Sequence, residues 1–314
     1  MEKKSNNKNG VLTSLIGKPT PAKASGLTYS LAAILSLVVG FLFVVFISIF
    51  GLTQEGYEEK DWYLYCSYLL VPFTFLLVVW FVLSWSGRSV GEEIRSQACP
   101  KRYFVLAILL QFGLFSLSQL NGWFLGWLEG YGYQDKPILL PSLDGFGFVG
   151  VLLAIAVLPA IFEEVIFRGL LLKGMKCFGV IGAALINGVL FSIYHQNPAQ
   201  TLYQFCCGFT FALVAIRAGS IFPTVLSHFI NNALVITLMK FGIVDFTGWV
   251  LVVVMVVSVL CLIASLVWLF IFDKGEKAPC KKEDKSEKKQ FFTYALLGIL
   301  MYALTWISVL LTGL

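Results

Sequence analysis

Uninterrupted apolar stretches long enough to cross a lipid bilayer recur along this chain of 314 residues. A helix needs roughly 20 apolar residues to cross a hydrocarbon core about 30 Å thick. Hydrophobic residues make up 58% of the chain, charged residues 13%, and mean hydropathy is +0.82, which is too apolar for an ordinary soluble domain. The sequence therefore predicts an all-α, polytopic transmembrane helical bundle of about nine helices. We place them at residues 28–50, 62–85, 103–127, 148–172, 178–195, 199–216, 220–239, 248–272 and 291–311.

Lysine and arginine are unevenly distributed over the hydrophilic segments between these stretches. With a cytoplasmic N-terminus, the outer segments hold only Lys60, Lys136 and Lys240, and the inner segments hold the rest. Positive residues favour cytoplasmic loops, so we predict a cytoplasmic N-terminus and an external C-terminus. The first stretch lacks a cleavage pattern and is predicted to be a retained helix. Short loops and the lack of organelle targeting signals favour a multi-pass protein of a bacterial plasma membrane.

Hydropathy and charge divide the chain into four regions. We predict a polar, disordered cytoplasmic tail at 1–27, transmembrane helices at 28–147, a central group of helices at 148–240, and transmembrane helices with a basic linker (273–290) at 241–314. The net charge of +5 is explained by the loops, so nucleic acid is not an expected partner. Seven cysteines form no C-x-x-C pair and predict no disulfide framework. No nucleotide or redox cofactor motif is found.

The fourth apolar stretch contains two adjacent carboxylates, Glu163 and Glu164, followed by Arg168. Ionisable groups in hydrocarbon are costly and are usually retained for function. Glu164 and Arg168 are four residues apart on one helix face, which predicts an ion pair. Glu163 points about 100° away from Glu164 around the helix axis, so it lies outside this ion pair and is available for catalysis. Pro159 is expected to disturb the helix near this site. The alternative is that both acids serve helix packing only.

The only two histidines of the chain lie in the fifth and seventh stretches. Asn187, Phe191 and His195 recur at four-residue spacing, and so do His228 and Asn232, so each set shares one helix face. Either set alone could serve hydrogen bonding between helices. Because both histidines occupy such settings, we predict that His195, His228 and Asn232 converge with the fourth helix around a polar cavity.

Together, a carboxylate, two imidazoles and an amide are side chains that can activate a water molecule. Glu163 would act as the general base, and His195, His228 and Asn232 would bind a divalent metal such as zinc, or stabilise an oxyanion. A proton-coupled transporter is an alternative, since intramembrane acids and histidines also form proton relays. Transporters often carry paired internal repeats, and these motifs have no second copy in the chain.

Three motifs follow one another in this part of the chain: Glu163-Glu164-x-x-x-Arg168, Phe191-x-x-x-His195 and His228-x-x-x-Asn232. In this order they resemble the three signature motifs of the CPBP intramembrane protease family, also called Abi. That family groups CAAX prenyl endopeptidases with bacteriocin-processing and immunity proteins. The resemblance covers about residues 148–240, that is, the fourth to seventh helices.

The resemblance implies a role for each matching residue. Glu163 corresponds to the glutamate that activates water, and Glu164 with Arg168 to its support. His195, His228 and Asn232 correspond to the remaining catalytic positions, which serve as metal ligands or as a transition-state pocket. The implied function is an intramembrane endopeptidase for a membrane-associated peptide or protein. A catalytically silent scaffold or bacteriocin immunity protein that binds a partner is the alternative.

Overall fold

The computed structural model describes residues 17–87, 91, 94–135, 138–243, 246–273 and 284–314. Regular structure in this part of the chain is helical, without a strand, as the all-α prediction requires. Eight helical stretches within it are long and apolar enough to cross a membrane. In hydrocarbon, a helix satisfies its backbone polar groups internally, which is why such stretches become helices. The prediction of a multi-pass helical bundle is confirmed.

We name the helices α1 to α9 in chain order. They are α1 (Pro21–Ile49), α2 (Asp61–Ser86), α3 (Arg102–Glu129), α4 (146–174), α5 (Gly179–Tyr194), α6 (Thr201–Ala218), α7 (Phe222–Lys240), α8 (Gly248–Phe272) and α9 (Lys285–Gly313). The predicted count of about nine differs from eight because α4 and α5 form one helical stretch, Phe146–Tyr194. Between them lies a 3-10 turn, Met175–Phe178, and α5 begins at Gly179, whose φ of +73° interrupts the helical conformation.

The predicted tail is too long at its inner end. Helix α1 begins at Pro21 rather than near residue 28, because Thr20 caps it by accepting a hydrogen bond from the backbone N–H of Lys23, and proline favours the first helical position. The remainder of the predicted tail, residues 1–16, lies outside the described residues.

The predicted basic linker is likewise too long. Asp284 caps α9 by accepting from the backbone N–H groups of Ser286 and Glu287, so the helix begins at Lys285 and its first turns are polar. The segment 274–283 of that linker lies outside the described residues. Hydropathy alone could not place either helix start, because a polar first turn carries no apolar signal.

The first and last helices pack directly against each other. A Cβ atom at Gly298 of α9 would lie 2.8 Å from the backbone oxygen of Tyr29, so only glycine permits this approach. Ser30 Oγ donates to the Tyr294 carbonyl (2.6 Å) and accepts from the Gly298 N–H (3.0 Å). Small and hydroxyl side chains thus join the two helices that lie farthest apart in the sequence.

Helix α1 also supports the end of α4. Ser25 Oγ donates to the Leu170 carbonyl (2.7 Å) and accepts from the Gly174 N–H (2.9 Å). A Cβ atom on Gly174 would lie 2.4 Å from the Pro21 carbonyl oxygen, so the two helices touch there. The helix that carries the two glutamates is therefore fixed at this end by a buried hydroxyl.

The helix ends form two opposite faces of the bundle. At one, the Ile221 N–H donates to the Arg95 carbonyl (3.2 Å). At the other, Asn121 Nδ2 donates to the Ala199 carbonyl (2.6 Å), and the Gln134 N–H donates to a carbonyl near the end of α9 (2.8 Å). We call the first of these the basic face. It is defined by Arg95, Lys101, Arg102, Lys173, Lys176 and Arg217. That the basic face lies in the cytoplasm stays a prediction.

Candidate active site

The backbone of α4 departs from α-helical geometry on both sides of the two glutamates. The α-helical segment Leu158–Glu164 stands between two π-helical segments, Leu152–Val157 and Val165–Leu171. Pro159 contributes to the first of these, because it has no N–H to donate to the carbonyl of Ile155, four residues earlier. π-helical segments are frequent at functional sites, since they change which side chains face a neighbouring helix.

Two asparagine side chains from neighbouring helices bind carbonyl oxygens of these π segments. Asn232 Nδ2 on α7 donates to the Ile155 carbonyl (3.1 Å), and Asn187 Nδ2 on α5 donates to the Phe167 carbonyl (2.8 Å). Buried carbonyl groups need such partners. The turn that carries the glutamates is therefore held from α5 on one side and from α7 on the other.

Glu164 and Arg168 form the predicted ion pair. Arg168 Nη1 donates to Glu164 Oε1 at 2.7 Å, and both side chains are completely buried. The same carboxylate oxygen lies 3.0 Å from Nδ1 of His228. Because Glu164 Oε1 can only accept in its ionised form, His228 donates from Nδ1. Glu164 thus orients an imidazole as well as neutralising the arginine.

Aromatic rings surround the Arg168 guanidinium on its other sides. Its central carbon lies 4.3 Å from the ring centroid of Phe191 and 5.3 Å from that of Phe211. Arg168 Nη2 also donates to the Gly208 carbonyl at 3.3 Å. Ring faces attract a cation, and the attraction is stronger where water is excluded. Phe191 of the second predicted motif therefore acts as a packing partner for the arginine of the first.

Glu163 points away from Arg168 and meets both histidines. Its Oε2 atom lies 3.9 Å from Nε2 of His195 and 3.8 Å from Nε2 of His228. Its other oxygen, Oε1, accepts a hydrogen bond from the Tyr194 hydroxyl (3.2 Å). Oε2 is buried and has no hydrogen-bond partner among the described residues. The structure thus brings Glu163 together with both histidines.

The orientation of His195 follows from its own helix. Its Nδ1 lies 2.8 Å from the Phe191 carbonyl, which can only accept, so Nδ1 carries the proton. Nε2 is therefore the atom that faces Glu163. The His195 side chain is 19% exposed, against 9% for Glu163 and 6% for His228. His195 is thus the most exposed of the three side chains.

Asn232 belongs to a different set of contacts. Besides its bond to α4, its Oδ1 accepts from Asn231 (3.1 Å), and Oδ1 of Asn231 accepts from Gln111 on α3 (2.8 Å) and from the Tyr203 hydroxyl on α6 (2.7 Å). Asn232 is predicted to lie with the histidines, whereas its contacts in the structure are to the α4 backbone and to this amide network. The network joins α3, α6 and α7. In the sequence, it is indicated only by isolated polar residues within apolar stretches.

Tyr194 is the site residue that the motif spacing missed. It precedes His195 in the sequence and is therefore rotated by about 100° from the predicted polar face. It reaches Glu163 nonetheless, because its ring packs against Phe167 of α4, with centroids 5.1 Å apart. A buried tyrosine hydroxyl usually finds a hydrogen-bond partner, and here that partner is the candidate base.

Residues 145–234 match a family model described as type II CAAX prenyl endopeptidase Rce1-like. The matched residues contain the six predicted site residues, from Glu163 to Asn232, and span α4 to α6 with the first two thirds of α7. The resemblance to the CPBP family is confirmed. No curated protein and no solved structure gives a match to the chain. The matched segment, less than a third of the chain, is thus similar to the corresponding part of a CAAX prenyl endopeptidase, which is an intramembrane protease.

Proposed function

We propose that this chain hydrolyses a peptide bond in a membrane-associated protein or peptide, and that Glu163 activates the water. The observation that carries the proposal is the position of Glu163 Oε2, which is buried, has no hydrogen-bond partner among the described residues, and faces two imidazole nitrogens at 3.8 and 3.9 Å. These separations exceed a direct hydrogen bond. A small polar molecule bound at the three atoms would satisfy all of them.

Hydrogen-bond counting supports water as that molecule. With both Nδ1 atoms protonated, neutral imidazoles and an ionised Glu163 would present three acceptors. A water molecule has two hydrogens, so it satisfies two acceptors and needs a donor as the third partner. One additional proton on an imidazole Nε2 supplies that donor.

Charge counting leads to the same additional proton. Glu163 and Glu164 are both buried, and Arg168 balances only one of them. Uncompensated buried charge is costly, so one further proton shared by Glu163 and the histidines makes the site neutral. His228 is the better carrier in the reactive form, because its Nδ1 faces the Glu164 carboxylate (3.0 Å).

The proposed reaction uses only these side chains and water. Glu163 takes one proton from the water as the water oxygen forms a bond to the peptide carbonyl carbon, and His228 donates from Nε2 to the resulting oxyanion. The carbon–nitrogen bond then breaks as the proton held by Glu163 passes to the leaving nitrogen. The products are a carboxylic acid and an amine, and Glu163 returns to its ionised form.

Two imidazoles and a carboxylate are also donor types of catalytic zinc sites. In the part of the chain that the structure describes, however, no group of three or more histidine, cysteine, aspartate or glutamate side chains is arranged to hold a metal ion. The donor types themselves fit zinc. The proposed steps use only side chains and water, and metal removal tests that choice.

We expect hydrolysis to survive metal removal. Purified protein treated with EDTA and 1,10-phenanthroline should retain its rate within about twofold of untreated protein, because Glu163 ionises water without a metal. Metal content measured on the same sample would show that removal was complete. A loss of activity that zinc restores would contradict the proposal and return His195 and His228 to the role of ligands.

Tyr194→Phe should lower kcat and leave KM unchanged. The substitution removes the hydroxyl that binds Glu163 Oε1 (3.2 Å) and retains the ring. A hydrogen bond to a charged group contributes roughly 1.5 to 3 kcal/mol, so we expect kcat to fall about 10- to 100-fold. The comparison requires steady-state kinetics on a peptide substrate.

Tyr302→Phe is the matched control for that variant. Tyr302 is also buried, and its ring lies 5.6 Å from that of Tyr194. Its hydroxyl has no hydrogen-bond partner among the described residues. Equal losses in the two variants would show that the Tyr194 effect is a general packing effect rather than positioning of Glu163.

The test of the function itself is hydrolysis in proteoliposomes. The description of the matching family model suggests a prenylated peptide with a C-terminal CAAX sequence as the first substrate to try. In water enriched in oxygen-18, we expect one heavy oxygen in the new carboxyl group of the amino-terminal fragment, as water attack requires. Cleavage without that label would contradict direct hydrolysis by Glu163-activated water.

A further inference from the structure

A cleft on the basic face contains a guanidinium that forms an ion pair with no described residue. It lies between the segment before α3, the end of α4, the start of α5 and the end of α6, and Arg95 and Lys176 line it. The Arg95 side chain is half-buried and makes no ion pair or hydrogen bond to a described residue, and burial alone lowers its pKa. Buried charges normally have a partner, and no described residue supplies one for this guanidinium.

The backbone holds Arg95 in this position. Its φ of +54° is unusual for a residue with a side chain, and its carbonyl accepts from the N–H of Ile221 at the start of α7 (3.2 Å). Backbone strain of this kind persists where surrounding structure enforces it, and it is enriched at functional positions. Arg95 is thus directed by a fixed backbone rather than by a freely moving loop.

The rest of the cleft is apolar. Leu172, Val180 and Ile216 line it beneath the two cations. On the adjoining outer surface of α5, Ile181 and Leu185 are 47% and 43% exposed, as expected for side chains that face lipid. Positive charge at the membrane surface above an apolar wall matches the shape of a phospholipid, whose phosphate lies above its acyl chains.

We propose that this cleft binds an anionic phospholipid, with the phosphate held by Arg95, with Lys176 adding positive charge at the rim, and with an acyl chain against α5. Arginine suits phosphate because its planar group donates two parallel hydrogen bonds. Arg217 follows Ile216, and its buried Nη1 atom also lacks a hydrogen-bond partner among the described residues, which adds positive charge beside the cleft. The described lining residues include no carboxylate, so a headgroup with net negative charge is favoured over a zwitterionic one.

Thermal unfolding of the purified full chain in detergent micelles tests this site. We expect added dioleoylphosphatidylglycerol to raise Tm, and dioleoylphosphatidylcholine to raise it less, because a ligand that binds only the folded state stabilises it. For Arg95→Gln, about fivefold more phosphatidylglycerol should be needed to give the same rise in Tm, which corresponds to the loss of one surface charge. Lys101→Gln is the matched control, since Lys101 is exposed on the same face and does not line the cleft.

Lys176→Gln provides a second variant if Arg95→Gln fails to fold, because Lys176 is exposed and its loss removes charge without opening the interior. Native mass spectrometry would count retained phosphatidylglycerol, with fewer adducts expected for either variant than for Lys101→Gln. Three outcomes would overturn the proposal: equal stabilisation by phosphatidylcholine, an unchanged phosphatidylglycerol response in both cleft variants, or the same stabilisation by inorganic phosphate alone, which would indicate a free-anion site.

Discussion

Glu163→Gln is expected to lower the rate of peptide cleavage by about 10²- to 10⁴-fold, the usual contribution of a general base. Glutamine retains the size of the side chain and can still accept from Tyr194 through its amide oxygen, but it cannot take a proton from water. The variant should insert and fold as the wild type does, because the buried ion pair between Glu164 and Arg168 is unchanged. Kinetics in proteoliposomes and the melting temperature of the same preparation would measure both effects.

Proteomic comparison of membranes containing wild-type or Glu163→Gln protein would identify the natural substrate at the same time. A substrate should accumulate uncleaved in the variant, and its new terminus should be absent. Glu129→Gln is the control, since Glu129 is an exposed carboxylate at the end of α3. If Glu163→Gln cleaved its substrate at the wild-type rate, Glu163 would not be the general base. A biological phenotype that survives complete loss of cleavage would favour the alternative of a scaffold or immunity protein that acts by binding.

The fold was accessible from the sequence because the bilayer requires long apolar helices, and hydropathy measures that requirement directly. The helix starts at Pro21 and Lys285 were missed because they depend on polar caps, Thr20 and Asp284, which lie outside any apolar stretch. The break between α4 and α5 was predicted, because Lys173, Gly174 and Lys176 interrupt the apolar sequence there. The 3-10 turn Met175–Phe178, which makes the two helices one continuous helical stretch, has no hydropathy signal of its own.

The site was predictable where a single helix or an ordered motif set defines it. Four-residue spacing was sufficient to pair Glu164 with Arg168, because i and i+4 side chains meet on any α-helix. The contact of Glu163 with Tyr194 and the use of Asn232 on the Ile155 carbonyl were not predictable in this way. Both depend on how α5 and α7 pack against the π segments of α4, which sequence spacing alone does not determine.

Arg168→Ala is expected to destabilise the folded protein far more than Glu163→Gln does. Glu164 and Arg168 are both fully buried and 2.7 Å apart, and removal of one partner from a buried pair typically costs about 3 to 5 kcal/mol. The alanine also leaves a void where the guanidinium packs against Phe191 and Phe211. Thermal unfolding in detergent should show a clearly lower Tm and lower abundance in membranes, whereas Glu163→Gln remains close to wild type.

A double variant separates the charge effect from the packing effect. In Glu164→Gln with Arg168→Met, no uncompensated charge is left, and methionine fills much of the space of the arginine stem, so part of the lost stability should return. Its activity should stay low, because His228 loses the carboxylate that accepts from its Nδ1 (3.0 Å). If Arg168→Ala were as stable as Glu163→Gln, the ion pair would contribute little to folding, and the support assigned to Glu164 would have to come from His228 alone.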